Sequence, residues 1–156
     1  MVSSPGTLHQ CILGRFCLRL FEYFKSRQLI LLSAPFDVRL PGKDQSTADE
    51  DVLSVVQPDI CVCEESKLDE RGCIGAPELV IEILLPDYSK TELHNKFDLY
   101  QESGVREYWI VQPAYQNVLL FTLSTNGKYI DSKPATEVLH SVTFPDLTID
   151  LKEIFS

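Results

Sequence analysis

Between Thr7 and Arg27, apolar side chains recur at every fourth position, at Leu8, Ile12, Phe16, Leu20 and Phe24, with Leu13, Cys17 and Phe21 widening the stripe. This period predicts an amphipathic helix, and Arg15, Arg19, Glu22 and Lys25 lie on or beside its polar flank. "LILLSAPFDVRL" then reads as two short extended pieces broken at Ser33-Ala34-Pro35, the second alternating at Phe36, Val38 and Leu40. "PGKDQSTADEDVLS" reads as a polar loop. "DICVC" is the next strand and "EESKLDERGCIGAP" a charged connection. "ELVIEIL" is apolar on both parities, as expected of a strand at the centre of a sheet covered by helices.

"SKTELHNKFDLYQESG" has helical period and ends at Gly104, a fitting C-terminal cap. "REYWIVQP" and "NVLLFTLSTNGKYI" read as a meander of strands turning at Asn126-Gly127, and "DLKEIF" as a last helical turn. The order is helix, three or four strands, helix, then two or three strands, which makes an α+β or mixed α/β core. No internal repeat or interdomain linker interrupts residues 1–156, so one domain with its own buried core is expected.

Fourteen basic against twenty-three acidic residues leave a net charge of −9, which opposes loose electrostatic binding to nucleic acid. Contact with DNA then needs a local basic surface, a dimer groove or bound cations. No apolar run approaches the roughly 18 to 20 residues of a membrane span. "MVSSPGTLHQ" lacks the basic start and apolar stretch of a secretory signal, so an intracellular, cytoplasmic setting without membrane contact is expected. Five cysteines in odd number, with no CxxC pair, point to buried reduced thiols, and Cys61 and Cys63 should share a strand face. A zinc set of Cys61, Cys63, Cys73 and a histidine fits no common spacing.

The chemistry starts at Glu82, set inside "PELVIEILLP". A buried, unpartnered carboxylate is so unfavourable that the group protonates, pairs with a cation or binds a metal. On its strand Glu82 shares a face with Val80 and Leu84, while Leu79, Ile81 and Ile83 share the other; a helix should cover it. In the following helix Leu93, Phe97, Leu99 and Tyr100 define an apolar arc, and Lys96 is the only charge inside it; His94, Asn95, Asp98, Gln101 and Glu102 fall on the polar side. Lys96 is either a snorkelling surface lysine or the partner of Glu82. Asp59, after Pro58 at the head of the preceding strand, is either a turn residue or a second acid brought beside Glu82 by strand pairing. Two carboxylates converging beside a lysine suit a hard divalent cation and phosphodiester hydrolysis.

"QPDICV" followed by "APELVIEILLPDYSKTELHNKFDLYQESGVREYWIVQP" resembles the Uma-two family, a branch of the PD-(D/E)xK restriction-nuclease-like superfamily, and the match runs from about His9 onward. The matching positions are Pro58-Asp59, Glu82, Pro86, Lys96, Tyr100, Gly104-Val105, Tyr108-Trp109 and Pro113. The resemblance implies a restriction-endonuclease-like αβββαβ core, a central mixed sheet flanked by helices. It also implies an endonuclease acting on DNA, with Asp59, Glu82 and the Ile83 carbonyl holding Mg²⁺ or Mn²⁺. The superfamily's usual ExK lysine is replaced by Leu84, and Lys96 is its natural substitute. "LHQ" matches the start of the family's first helix, where His9 approaches the site, and Tyr100 is a second auxiliary residue. Relatives in the superfamily often form homodimers, for which the "YWIV" strand is either an interface or plain core.

Three departures accompany the match. Family members carry an upstream acidic segment, whereas this chain begins almost at the helix; Leu85 stands where Ser is common before the proline, and Gln112 where Asp precedes the final one. With the acidic surface, the first of these makes a catalytically inactive nuclease-fold binding or dimerisation module the alternative reading. An acid–base enzyme using the carboxylates without metal is a third.

Overall fold

The computed structural model describes residues 6–42 and 52–156. Helix α1 spans Thr7–Phe24 and buries His9, Ile12, Phe16, Leu20 and Phe24. Two members of the predicted stripe leave it: Leu8 and Phe21 are both more than half exposed. Steps of four residues precess about 40° each around a helix, so a stripe cannot hold one face over the four steps from Leu8 to Phe24. At its N-terminal end the buried face steps back by three instead, from Ile12 to His9. Burying Ile12, Phe16, Leu20 and Phe24 contributes about 1.5–3 kcal/mol each. The exposed pair Arg19 to Glu153, at 3.0 Å, adds at most about 1 kcal/mol, so apolar packing docks α1.

The strands β1 (Leu29–Ser33), β2 (Val38–Pro41), β4 (Ile60–Glu64) and β7 (Leu79–Ile83) fall where the pattern puts them. Three short strands were not expected. Val52–Val56 forms β3, which begins inside the stretch read as a polar loop and runs past its end at Ser54; the loop's residues 43–51 lie outside the described ones. The charged connection contains β5 (Leu68–Asp69) and β6 (Gly72–Ile74). These join β2 and β3 in a four-stranded sheet of order β3-β2-β6-β5, held partly by the parallel pairing of β2 with β6. Gly72 has φ +120, and a Cβ there would stand 2.1 Å from the Asp37 carbonyl oxygen, so the turn into β6 requires glycine.

After β7 come α2 (Lys90–Ser103), β8 (Glu107–Gln112), β9 (Asn117–Leu123), β10 (Tyr129–Asp131), the hairpin β11 (Val138–His140) and β12 (Thr148–Asp150), and α3 (Lys152–Phe155). Gly104 caps α2 in the left-handed region at φ 89. The main sheet has order β1-β4-β7-β8-β9-β10. β7 and β8 are parallel, joined across α2, and the other pairs are antiparallel. Read in chain order, α1, β1, β4, β7, α2 and β8 give the expected αβββαβ core in a mixed sheet.

The parity of β7 separates two cores. Leu79, Ile81 and Ile83 pack with α1, α3 and the β11–β12 hairpin; Val80 packs with α2 and the second sheet. The "YWIV" strand is interior, since Tyr108, Trp109, Ile110 and Val111 are all buried between β7 and β9. It is core, and its flanking ladders leave no interface there. All five cysteines are free; Cys61, Cys63 and Cys73 are buried, but Cys11 is exposed and Cys17 half-buried on α1, contrary to the expectation for all five. Cys61 and Cys63 share a face, Sγ to Sγ 3.7 Å. Among the described residues no helix is long and apolar enough to cross a membrane.

Candidate active site

Antiparallel pairing of β4 with β7 sets Ile60 against Ile81 and Cys61 against Val80. One step further along this register, Asp59 faces Glu82, both on the side covered by α2. The Asp59 carboxylate is held from two directions. Its Oδ2 accepts a hydrogen bond from the Ile83 N–H at 2.7 Å, and its Oδ1 lies 3.4 Å from His9 Nε2. His9 comes from the first turn of α1, is 8% exposed, and has a buried Nδ1 with no hydrogen-bond partner.

Glu82 is 7% exposed. The Tyr100 hydroxyl donates to its Oε1 at 2.7 Å, and Lys96 Nζ lies 3.7 Å from the same oxygen. Tyr100 and Lys96 sit one turn apart on α2, so a single helix face delivers both. The Lys96 side chain is 34% exposed; its ammonium meets Glu82 at the rim while its stem runs along the apolar arc. Burial pushes the Glu82 carboxyl up to about 7, opposed by Lys96, reinforced by the charge of Asp59 and opposed again by the Tyr100 hydrogen bond. Burial and the charge of Glu82 hold the Tyr100 hydroxyl well above its ordinary range, so it stays a donor. Its ring meets that of Tyr108 edge-on at 4.9 Å.

Asp59, Glu82, Ile83, Lys96 and His9 line one pocket of about 180 Å³. His94, by contrast, is on the surface beside Asp98. The pocket also contains Gln57, Tyr88, Ser89 and Glu92, which were not singled out from the sequence. Two of these carried a signal. Ser89 accepts a hydrogen bond from the Glu92 N–H at 3.2 Å and caps α2, so Ser89-Lys90-Thr91-Glu92 has the S-x-x-E spacing of a capping box. Glu92 also precedes Lys96 by one helical turn, which puts it on the same side.

The donor set suits a hard cation held by few protein ligands. Two carboxylates meet beside main chain, and Glu82, raised chiefly by burial and further by the charge of Asp59, sits where a divalent ion would favour its ionised form. In a strand the N–H and C=O of one residue point towards the same neighbour. Because the Ile83 N–H bonds Asp59, its carbonyl also faces the β4 side; in the extended register its opposite number is Pro58, which has no N–H to offer. Among the described residues no group of three or more His, Cys, Asp or Glu side chains is gathered to hold a metal. A cation here would have two side chains and a carbonyl to bind it, a number of protein ligands that Mg²⁺ tolerates.

A mixed sheet with an αβββαβ core, and an acid pair at the adjoining ends of its middle strands, defines a restriction-endonuclease-like nuclease fold. The Uma2 family, described as "Putative restriction endonuclease", matches residues 1–152, and the chain belongs to it. Its structure is similar to the crystal structure of "a putative nuclease belonging to DUF820 from Anabaena variabilis". The TM-score is 0.72 at 21% sequence identity, over 98% of this chain and 83% of that one. No curated protein matches the sequence.

Proposed function

We propose that this protein is a metal-dependent endonuclease that hydrolyses phosphodiester bonds in DNA. The observation that carries the reading is the convergence on Glu82 of groups from three elements: Asp59 from the head of β4, Lys96 and Tyr100 from α2, and the Ile83 main chain from β7 itself. Asp59, Glu82 and the Ile83 carbonyl would hold Mg²⁺ or Mn²⁺. A bound divalent ion supplies an activated water and neutralises charge developing on the phosphate.

The remaining roles belong to the chain. Lys96 places a positive charge at the pocket rim, where a phosphate oxygen would replace Glu82 as its partner. Tyr100 fixes one Glu82 oxygen by its hydrogen bond, leaving the other to turn to the ion. His9 and the Ile83 N–H fix the rotamer of Asp59. Leu84, Leu85 and Leu93 give the pocket its apolar walls.

Titration calorimetry with Mn²⁺, run beside cleavage of single- and double-stranded DNA, tests the reading. Wild type should bind Mn²⁺, gain melting temperature and cut. Glu82→Ala should lose all three, and Lys96→Ala should keep Mn²⁺ binding while cutting at least about 100-fold more slowly. Wild type that neither binds Mn²⁺ nor cuts any DNA refutes it. The net charge of −9 and the lack of a third side-chain ligand among the described residues favour a second reading, an inactive nuclease-fold binding module. On that reading Glu82→Gln leaves function unchanged with or without metal.

A further inference from the structure

Beside the carboxylate pocket lies a second cavity, of about 280 Å³. Its walls come from the first turn of α1 at Leu8, the β7–α2 connection at Leu85, Pro86 and Tyr88, the end of β8 at Gln112 and the turn after it at Tyr115. Among the described residues no Asp, Glu, Lys or Arg lines it. His9, Leu84, Leu85 and Tyr88 are shared with the carboxylate pocket, so the two adjoin. From this arrangement we infer that the cavity is a subsite for an unstacked nucleobase of the strand whose phosphodiester lies at Asp59 and Glu82. The inference rests on the nuclease reading and adds to it a preference for single-stranded or frayed DNA.

Three observations select this occupant. The lining is neutral and apolar with tyrosine rings at its mouth, which suits a flat, uncharged aromatic ring and not a phosphate. Leu8 is 59% exposed, Tyr88 38% and Tyr115 73%, so much of this apolar surface stands open to solvent. Gln112 contributes an amide with both donor and acceptor, the groups needed to meet the polar edge of a base. The charge balance points the same way. The chain carries −9, and among the described residues Lys96 is the only Lys or Arg lining the carboxylate pocket. Phosphate contacts alone therefore hold a strand weakly, and stacking supplies affinity that does not depend on charge. A base inside a duplex is paired and stacked and must be extruded to enter, which disfavours intact duplex.

The test compares wild type with Tyr115→Ala, an exposed substitution outside the carboxylate pocket, on a single strand containing 2-aminopurine and on a matched strand of abasic residues. With Mn²⁺ present, wild type should quench 2-aminopurine and bind the base-bearing strand about tenfold more tightly than Tyr115→Ala does. It should bind the abasic strand no better than the variant, and Tyr115→Trp should restore the difference. Cleavage assayed in parallel should show a raised KM on single strands for Tyr115→Ala, with kcat unchanged. If wild type cuts DNA while Tyr115→Ala binds and cuts like it, the base subsite is wrong and the nuclease reading stands. If wild type cuts nothing yet quenching still depends on Tyr115, the subsite stands and the catalytic reading falls. Equal binding of base-bearing and abasic strands overturns the subsite, as does Tyr115→Ala abolishing self-association while leaving DNA binding untouched.

Discussion

Glu82 concentrates the electrostatic cost of the site in one side chain. Its carboxyl is raised to about 7 chiefly by burial, whereas in the unfolded chain it titrates near the ordinary value. Between about pH 4.5 and 7 the native protein therefore keeps a proton that the unfolded chain has released. Where the native state binds more protons, unfolding free energy falls as pH rises. The stabilisation is complete below about pH 4.5 and lost as pH passes about 7. In metal-free protein with chelator, wild type should lose on the order of 3 kcal/mol across that window relative to Glu82→Gln, which has no such proton. Urea midpoints for both proteins at several pH values measure the difference, and parallel curves would show that Glu82 ionises normally in the fold. Glu82 was legible in the sequence because a carboxylate in an apolar strand is conspicuous, and Lys96 because it interrupts an apolar arc. The hydrogen bond from the Ile83 N–H to Asp59 was not legible, since it depends on the register of β4 against β7. No local pattern fixes that register.

At the scale of elements, β8 carries a second buried carboxylate that the strand pattern conceals. Glu107 is fully buried. It accepts from Trp109 Nε1 at 2.7 Å, Ser141 Oγ at 2.8 Å and the N–H groups of Val142 and Thr143 at 3.1 and 2.8 Å. None of these donors is cationic, so four dipoles satisfy the charge and tie β8 to the connection between β11 and β12. Glu107→Ala would strand several buried donors at about 1–3 kcal/mol each. The variant should therefore be destabilised by about 3 kcal/mol or more, read by denaturation followed through Trp109, the single tryptophan; a loss below about 1 kcal/mol would show the donors finding water. Parity places Glu107 with Trp109 and Val111, so the reasoning that singled out Glu82 reaches it too. What hides it is its place at a strand head, where a charge is ordinarily solvated. Three of its four partners could not be foreseen, lying more than thirty residues downstream. The same range explains β5 and β6. Two- and three-residue strands have no period to read, and the parallel pairing of β6 with β2 belongs to the tertiary structure.

For the whole molecule, the charge balance constrains how a polyanion is held. A protein that neutralises Z phosphates of a single strand loses affinity with salt at a slope of about −0.7Z in log K against log salt. With −9 overall and, among the described residues, one lysine at the carboxylate pocket, Z should be small, and the slope for a cleavage-resistant phosphorothioate strand at fixed Mn²⁺ should lie between about −1 and −2. Lys96→Ala should flatten it by about 0.7, the contribution of one phosphate contact. Tyr115→Ala should weaken binding equally at every salt concentration, because stacking releases no counterions. Fluorescence anisotropy from low to moderate KCl separates the two effects on one set of samples. A slope of about −4 or steeper would mean that a basic surface holds the backbone, and the base slot would then be incidental to affinity. A shallow slope with a parallel offset for Tyr115→Ala would identify a nuclease that grips its strand by base and metal, consistent with so acidic a chain.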